Sequence, residues 1–327
     1  MKYLVTGGAG FIGSHLAEYL LKGNNQVVVI DNLSTGKIAN LASARSDPRL
    51  QIVIADVLNE TVMDRLVSEC DRIIHLAAAV GVQLIIEDPV HTITINVQGT
   101  EMVLKLARRY MRPVFIASTS EVYGKGIEVP FKEDADIVLG PTTKSRWAYA
   151  CSKALDEFLA LAYVKQFGVK VFIGRFFNTI GPRQTGHYGM VVPRFVRQAL
   201  RGEPITVFGD GTQTRSFCNV ADVVPAIIQL MDTEEAVGEV VNLGNDEEVT
   251  INDLAERVVR LVGGKGEIVH IPYEQAYQPG FEDMFRRVPC LAKARRLIGF
   301  QPKHCLEETL AQIVAYERET LGKEGRD

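Results

Sequence analysis

The chain has 327 residues, 46% hydrophobic and 23% charged, with a formal net charge of −4. That is the balance of an ordinary globular protein, long enough for two domains or one α/β unit with an added lobe. The faint acidity and the lack of a basic run exclude nucleic acid as an expected partner, and no apolar run is long enough to span a membrane.

Lys2 to Val5 reads as a short buried strand. It runs into the turn Thr6-Gly7-Gly8-Ala9-Gly10-Phe11-Ile12-Gly13, and Ser14 to Leu21 then carries apolar residues at helical spacing. Glycines let a backbone turn tightly and approach a pyrophosphate, while the helix start offers free N–H groups and a positive dipole end. Gln26 to Ile30 is a second buried strand, ending at Asp31-Asn32. The Asp31 carboxylate lies about 20 residues beyond the glycines, where the dinucleotide fingerprint places the acceptor for the adenosine ribose hydroxyls. Dinucleotide binding follows, with NAD favoured over NADP because a 2′-phosphate beside Asp31 would be repelled.

Leu50 to Ile54 is a third strand, leading to Asp56-Val57, and Asp71 to Ala78 a fourth. Pro89 to Arg109 reads as a long helix. Pro113 to Ser118 is a fifth strand followed by Thr119-Ser120-Glu121. Trp147 to Phe167 is another long helix and Val169 to Arg175 a sixth strand. Repeated β–α units with nearly continuous apolar strands predict a parallel sheet covered on both faces. Ligands then sit beyond the carboxyl ends of the strands.

After Asn178 the pattern breaks up. A loop runs from Gly181 through Gly189, then a helix from Val192 to Arg201. Val240 to Gly244 reads as one more strand, Thr250 as the N-cap of a helix to Val262, and Glu317 to Asp327 as a frayed tail. The expected class is α/β: a Rossmann-type doubly wound parallel sheet with a smaller C-terminal α/β substrate lobe. The expected division gives 1–178 to the NAD-binding part, joined by parts of about 217–243, and 179–216 with 244–327 to the lobe. Met1 leads almost at once into the first strand, so no signal peptide and a cytoplasmic location are expected. Cys70, Cys151, Cys218, Cys290 and Cys305 are odd in number, scattered and without metal-ligand spacing, so reduced thiols and no metal are expected.

Tyr149-Ala150-Cys151-Ser152-Lys153 places a tyrosine and a lysine on one helix face. An ammonium favours tyrosinate and is expected to lower the tyrosine pKa toward neutrality. Such a tyrosine can take a hydroxyl proton while a hydride leaves the same carbon.

The Gly7-x-x-Gly10-x-x-Gly13 turn, Ser118-Thr119 and the Tyr149–Lys153 pair together resemble the extended short-chain dehydrogenase/reductases, the epimerase/dehydratase enzymes of nucleotide sugars. The resemblance covers essentially the whole chain. It implies that Tyr149 is the base at the sugar O4, that Lys153 also holds the nicotinamide ribose, and that Thr119 shares the O4 proton. It implies cofactor contacts from Gly7, Gly10, Phe11, Ile12, Gly13, Asp31, Asn32, Asp56, Val57, Leu76, Ala77, Ala78, Asn96 and Ser118. It implies a nucleotide-diphosphate sugar as substrate, held by Asn178, Arg183, Val192, Pro193, Val207 and Arg215. A homodimer paired through the two long helices is also implied.

Oxidation at C4 is common to that family, and the residues near C5 and C6 select the ending. Thr119-Ser120-Glu121 followed by Val122-Tyr123-Gly124 resembles the UDP-glucuronate decarboxylases. The decarboxylase domain of the aminoarabinose lipid A pathway is similar over a longer stretch, at Gly140-Pro141 to Lys144, at Arg146-Trp147, and at Arg287 two residues before Pro289. By that resemblance Arg287 pairs with a C6 carboxylate or acts as an acid, and Glu121 repels the carboxylate or orients a proton for C5. The chain lacks the insertion after Arg183 found in the similar decarboxylase domain of the aminoarabinose lipid A pathway. The expectation is a UDP-glucuronate decarboxylase. The alternatives are a UDP-sugar 4-epimerase, a GDP-mannose-type 4,6-dehydratase and a non-catalytic NAD-sensing protein.

Overall fold

The structure is a computed structural model that describes residues 1–81, 88–186, 190–264, 266–276 and 284–324. Its central sheet holds β1 (Lys2–Thr6), β2 (Gln26–Asp31), β3 (Leu50–Ile54), β4 (Arg72–His75), β5 (Val114–Thr119), β6 (Val171–Phe176) and a late strand, Val240–Leu243. From edge to edge the order is Val240–Leu243, β6, β5, β4, β1, β2, β3, with every pairing parallel. The winding direction reverses between β1 and β4, and open α/β sheets bind ligands in the crevice at such a reversal.

Alternate residues along each strand explain the continuous apolar runs. Leu4, Val28, Ile73, Val114 and Ile116 face the helices Glu60–Glu69, Pro89–Tyr110 and Arg146–Phe167. Tyr3, Val5, Val27, Val29, Ile74 and Phe115 face the opposite side, against Phe11–Lys22 and Val220–Asp232. Both faces are covered, so polar alternation is absent. The regular strand β4 ends at His75, earlier than the Ala78 expected, and residues 76–78 leave it as irregular chain.

A second core lies in the C-terminal half. Phe195, Val207, Leu254 and Leu310 are buried together there. They come from the helices Val191–Arg201, Ile251–Val262 and Leu306–Glu324 and from the parallel pair Ile205–Phe208 with Ile268–Ile271. The Thr250 side chain accepts from Asp253 N at 3.0 Å, as an N-cap should.

Two expectations need correction. The stretch from Glu317 is no frayed tail as far as it is described: a helix runs to Glu324. The Glu317 carboxylate is 1% exposed and pairs with Arg197 at 2.7 Å. The segment is polar because only one stripe, with Leu310, Ile313 and Val314, faces the core. The segment around Ala292–Ile298 also departs from the lobe, since Leu291, Ala294 and Phe300 pack into the core beside the sheet. The end of the Gly181-to-Gly189 loop and residues 325–327 lie outside the described residues.

Candidate active site

A cavity of about 300 Å³ opens at the carboxyl ends of β1, β2 and β4. Its wall contains Gly7, Gly10, Phe11, Ile12, Gly13, Asp31, Asn32, Asp56, Val57, Leu76, Ala77, Ala78, Ser118 and Tyr149. Gly7 has φ +68°, and a Cβ there would sit 2.8 Å from Ala77 N. A Cβ on Gly13 would sit 2.3 Å from the Gly7 carbonyl oxygen. Both positions demand glycine, which brings bare backbone to the cavity. No side chain caps the Phe11–Lys22 helix at Gly10, so its first-turn N–H groups are left to a ligand. The Asp31 carboxylate accepts from Ala9 N at 2.9 Å and Leu33 N at 2.8 Å and forms part of the same wall. A glycine cradle, an uncapped helix start and a carboxylate fit a dinucleotide.

Of the predicted cofactor residues, Asn96 and Lys153 stand behind this wall. Asn96 Oδ1 accepts from Ala79 N at 2.9 Å, and its Nδ2 donates to Ser152 Oγ at 3.2 Å. Asn96 thus braces the chain after β4 against the Arg146–Phe167 helix. Lys153 Nζ donates to Asp156 Oδ2 at 2.6 Å inside that helix.

A second cavity of about 340 Å³ adjoins the first, and Phe11, Ile12, Val80, Ser118, Tyr149 and Phe176 line both. Thr119, Ser120, Glu121 and Arg146 line it from the sheet side, and Asn178, Val192, Arg215 and Arg287 from the other. Tyr149, buried at the shared boundary, pairs its hydroxyl with Thr119. The expected lowering of its pKa is corrected. Burial pushes the phenol up, and the Glu121 carboxylate pushes it further. The Lys153 ammonium that should oppose this is tied to Asp156.

Glu121 is gripped by two guanidinium groups. Arg146 Nη2 lies 2.6 Å from Oε2, and Arg287 Nη1 donates to Oε1. Burial alone would raise the carboxyl, but Arg146 and Arg287 together hold it down to about 2. Glu121 is therefore ionised at neutral pH and is no proton donor. One carboxylate and two guanidiniums carry a net charge of +1. Repulsion of a substrate carboxylate by Glu121 is thus outweighed, and this wall attracts an anion.

Three predicted substrate residues lie elsewhere. Arg183 Nη2 turns to Glu18 Oε1 at 2.6 Å, on the Phe11–Lys22 helix. Pro193 is buried in the first turn of its helix. Val207 is fully buried in the second core. The cavity instead gains Arg146, Arg194, Phe208, Gln213 and Tyr273. The Arg194 guanidinium lies 3.8 Å from the centroid of the Phe208 ring. Arg146 left a sequence signal: it stands three residues before Tyr149, on the same helix face. The Arg194–Phe208 stack left none, because its partners belong to separate elements.

Residues 3–244 match the NAD dependent epimerase/dehydratase family. The chain belongs to that family. The enzyme is 41% identical over 317 residues to the UDP-N-acetyl-alpha-D-glucosaminuronate decarboxylase of Bacillus cytotoxicus, covering 97% of each chain. It is 38% identical over 320 residues to UDP-glucuronic acid decarboxylase 1 of Xenopus tropicalis, covering 98% of this chain and 73% of that one. Among solved structures, it resembles the UDP-glucuronic acid 4-epimerase of Bacillus cereus, solved with UDP-glucuronic acid and NAD. The TM-score is 0.88 at 30% identity, covering 98% of this chain and all of that one. The enzyme uses NAD and acts on nucleotide sugars. Among the described residues no helix is long and apolar enough to cross a membrane, and no group of three His, Cys, Asp or Glu could hold a metal.

Proposed function

We propose that this enzyme decarboxylates UDP-glucuronate through oxidation at C4. The observation that carries the reading is the Arg146–Glu121–Arg287 cluster, net positive and set in the cavity wall that Tyr149 also lines. An uncharged hexose offers such a cluster only hydroxyls, whereas a C6 carboxylate offers it a complementary charge. The decarboxylase names of the similar proteins support it.

In this reading Tyr149 takes the O4 proton, with Thr119 sharing it, and Lys153 favours the tyrosinate once its charge is available. NAD bound in the first cavity supplies the acceptor for the C4 hydride. The C6 carboxylate is then β to a ketone. Its C5–C6 bond breaks, carbon dioxide leaves, and the electron pair remains as an enolate spread over C5, C4 and O4. That enolate takes a proton from water at C5 to give the 4-keto-pentose, the two electrons of the C4 hydride staying with the cofactor. Arg287 and Arg146 hold the carboxylate before it leaves, and the hydroxyls of Thr119 and Tyr149 stabilise the charge on O4. Asn178, Val192, Arg215, Arg194 and Phe208 hold the nucleotide diphosphate. This assigns the sheet-bearing part to the cofactor and the second core to the nucleotide sugar. The long helices carry exposed Val90, Ile93, Leu155 and Phe158, which supports a homodimer paired through them.

A 4-epimerase acting on UDP-glucuronate is the second reading, favoured by the likeness to the Bacillus cereus enzyme and by the same anion-binding wall. One experiment separates them. The enzyme is incubated with NAD and, separately, UDP-glucuronate, UDP-N-acetylglucosaminuronate, UDP-glucose and GDP-mannose, and the products are identified by mass and NMR. Loss of carbon dioxide from a uronate supports decarboxylation. Inversion at C4 with the carboxylate retained overturns it in favour of the epimerase.

A further inference from the structure

Lys153 and Asp156 form a buried ion pair at 2.6 Å, their side chains 3% and 0% exposed. They stand three residues apart, one turn of the Arg146–Phe167 helix, and Thr100 meets Asp156 from the Pro89–Tyr110 helix. In the proposed reaction the Lys153 charge is what favours the Tyr149 tyrosinate. A carboxylate held against that ammonium cancels much of its field, because little solvent intervenes to screen either charge.

The other charged groups around Tyr149 do not duplicate this. Glu121, Asp156 and Arg146 act on it directly, with Arg287 behind them on Glu121. Glu157, beside Asp156, is taken up by Arg175 at 2.7 Å and by the Ser118 hydroxyl. His75 on β4 is buried and stays neutral, with burial and the Lys153 charge holding its pKa down to about 3. Asp156 is the group that holds Lys153 itself.

We propose that Asp156 is a positioning residue that clamps Lys153 and thereby sets the pH at which Tyr149 becomes a base. While the clamp is closed, the phenol keeps its proton. When Lys153 leaves Asp156, an uncancelled positive charge is available to stabilise the tyrosinate. The inference rests on the reading of Tyr149 as the base at C4.

Asp156→Asn keeps the shape and removes the charge. In the NAD-loaded enzyme, the acid limb of the kcat profile should move to lower pH by about one unit, a gain of about tenfold in rate along that limb. The second readout needs no turnover. Tyr149 is titrated by NMR of carbon-13 tyrosine in the NAD-loaded enzyme without sugar, its signal assigned by its loss in Tyr149→Phe. That titration should fall by the same amount, and Asp156→Glu, which restores a carboxylate, should bring both readouts back. With Lys153→Met in place the fall should be much smaller, being only the loss of Asp156's own charge on Tyr149; an equal fall in that background overturns the proposal. A less stable Asp156→Asn whose two titrations do not move would make Asp156 a packing residue only. A shift to higher pH would mean that unpaired Lys153 had lost its own charge. Either result overturns the proposal. If Asp156→Asn does not fold, Asp156→Ser, which also removes the charge, carries the same two readouts with the same outcomes. Because Tyr149 is titrated without sugar, the outcome for the clamp is independent of whether the sugar is decarboxylated.

Discussion

Arg287 and Glu121 stand 166 residues apart in the chain, and their side chains meet as an ion pair in the wall of the sugar cavity. Each is only 12% exposed. Arg146 completes the cluster from the same helix as Tyr149. Charges this well sheltered are expensive to leave unpaired, so the cluster has a use that justifies keeping it. In the proposed reaction that use is the substrate carboxylate.

Arg287→Ala should therefore lower kcat/KM for carbon dioxide release by about 10- to 100-fold, the scale of one hydrogen bond to a charged group, because one of the two guanidiniums that hold the substrate carboxylate is gone. Glu121→Gln should slow it as well, because the two guanidiniums lose the carboxylate that spaces them. NAD affinity, measured by fluorescence titration, should change little in either variant. Carbon dioxide release at the wild-type rate in both would refute the decarboxylase assignment.

Tyr149→Phe removes one hydroxyl and leaves the ring packing intact. Oxidation at C4, followed as NADH absorbance in a single turnover, should fall by about 10²- to 10⁴-fold, the range for loss of a general base. NAD binding should persist. Near-normal turnover would take Tyr149 out of the base role.

Acid stability has a definite sign. The Glu121 carboxyl is held at about 2 against an ordinary 4.5, burial raising it and Arg146 and Arg287 lowering it more. A depressed carboxyl contributes stability that is fully present above about 4.5 and is lost as pH falls toward about 2. The urea midpoint of the wild type should drop across that window. The drop should be shallower in Glu121→Gln, which has no proton to gain there. Parallel curves for the two proteins would contradict the assigned shift.

Asp31→Ala should narrow the preference for NAD over NADP. Its carboxylate lines the cofactor cavity and is held by Ala9 and Leu33 N–H groups, so a 2′-phosphate would meet a fixed negative charge. The ratio of the two dissociation constants is the measurement, and tighter NADP binding by the unmodified enzyme would overturn the assignment.

Phe158 is 66% exposed on the Arg146–Phe167 helix, with Leu155 beside it at 49%. If the long helices pair two copies, Phe158→Glu should give a monomer by light scattering where the wild type is a dimer. A monomeric wild type at micromolar concentration would exclude that pairing.

The amino-acid sequence by itself determined the sheet, the glycine turn and the tyrosine–lysine face. These depend on short-range rules: two-residue alternation along strands, glycine where a Cβ would strike Ala77 or the Gly7 carbonyl, and neighbours one helical turn apart. The tertiary structure decided which charges meet. Arg183 found Glu18, and both Arg287 and Arg146 found Glu121. It also placed Val207 in a core and Arg194 on Phe208. An ion pair forms between whichever opposite charges the packed elements bring within reach and shield from water, and strand or helix periodicity carries no record of that choice. For the same reason the raised pKa of Tyr149 could not be read from its spacing to Lys153. It follows from burial and from Glu121, brought to it by the end of a separate strand.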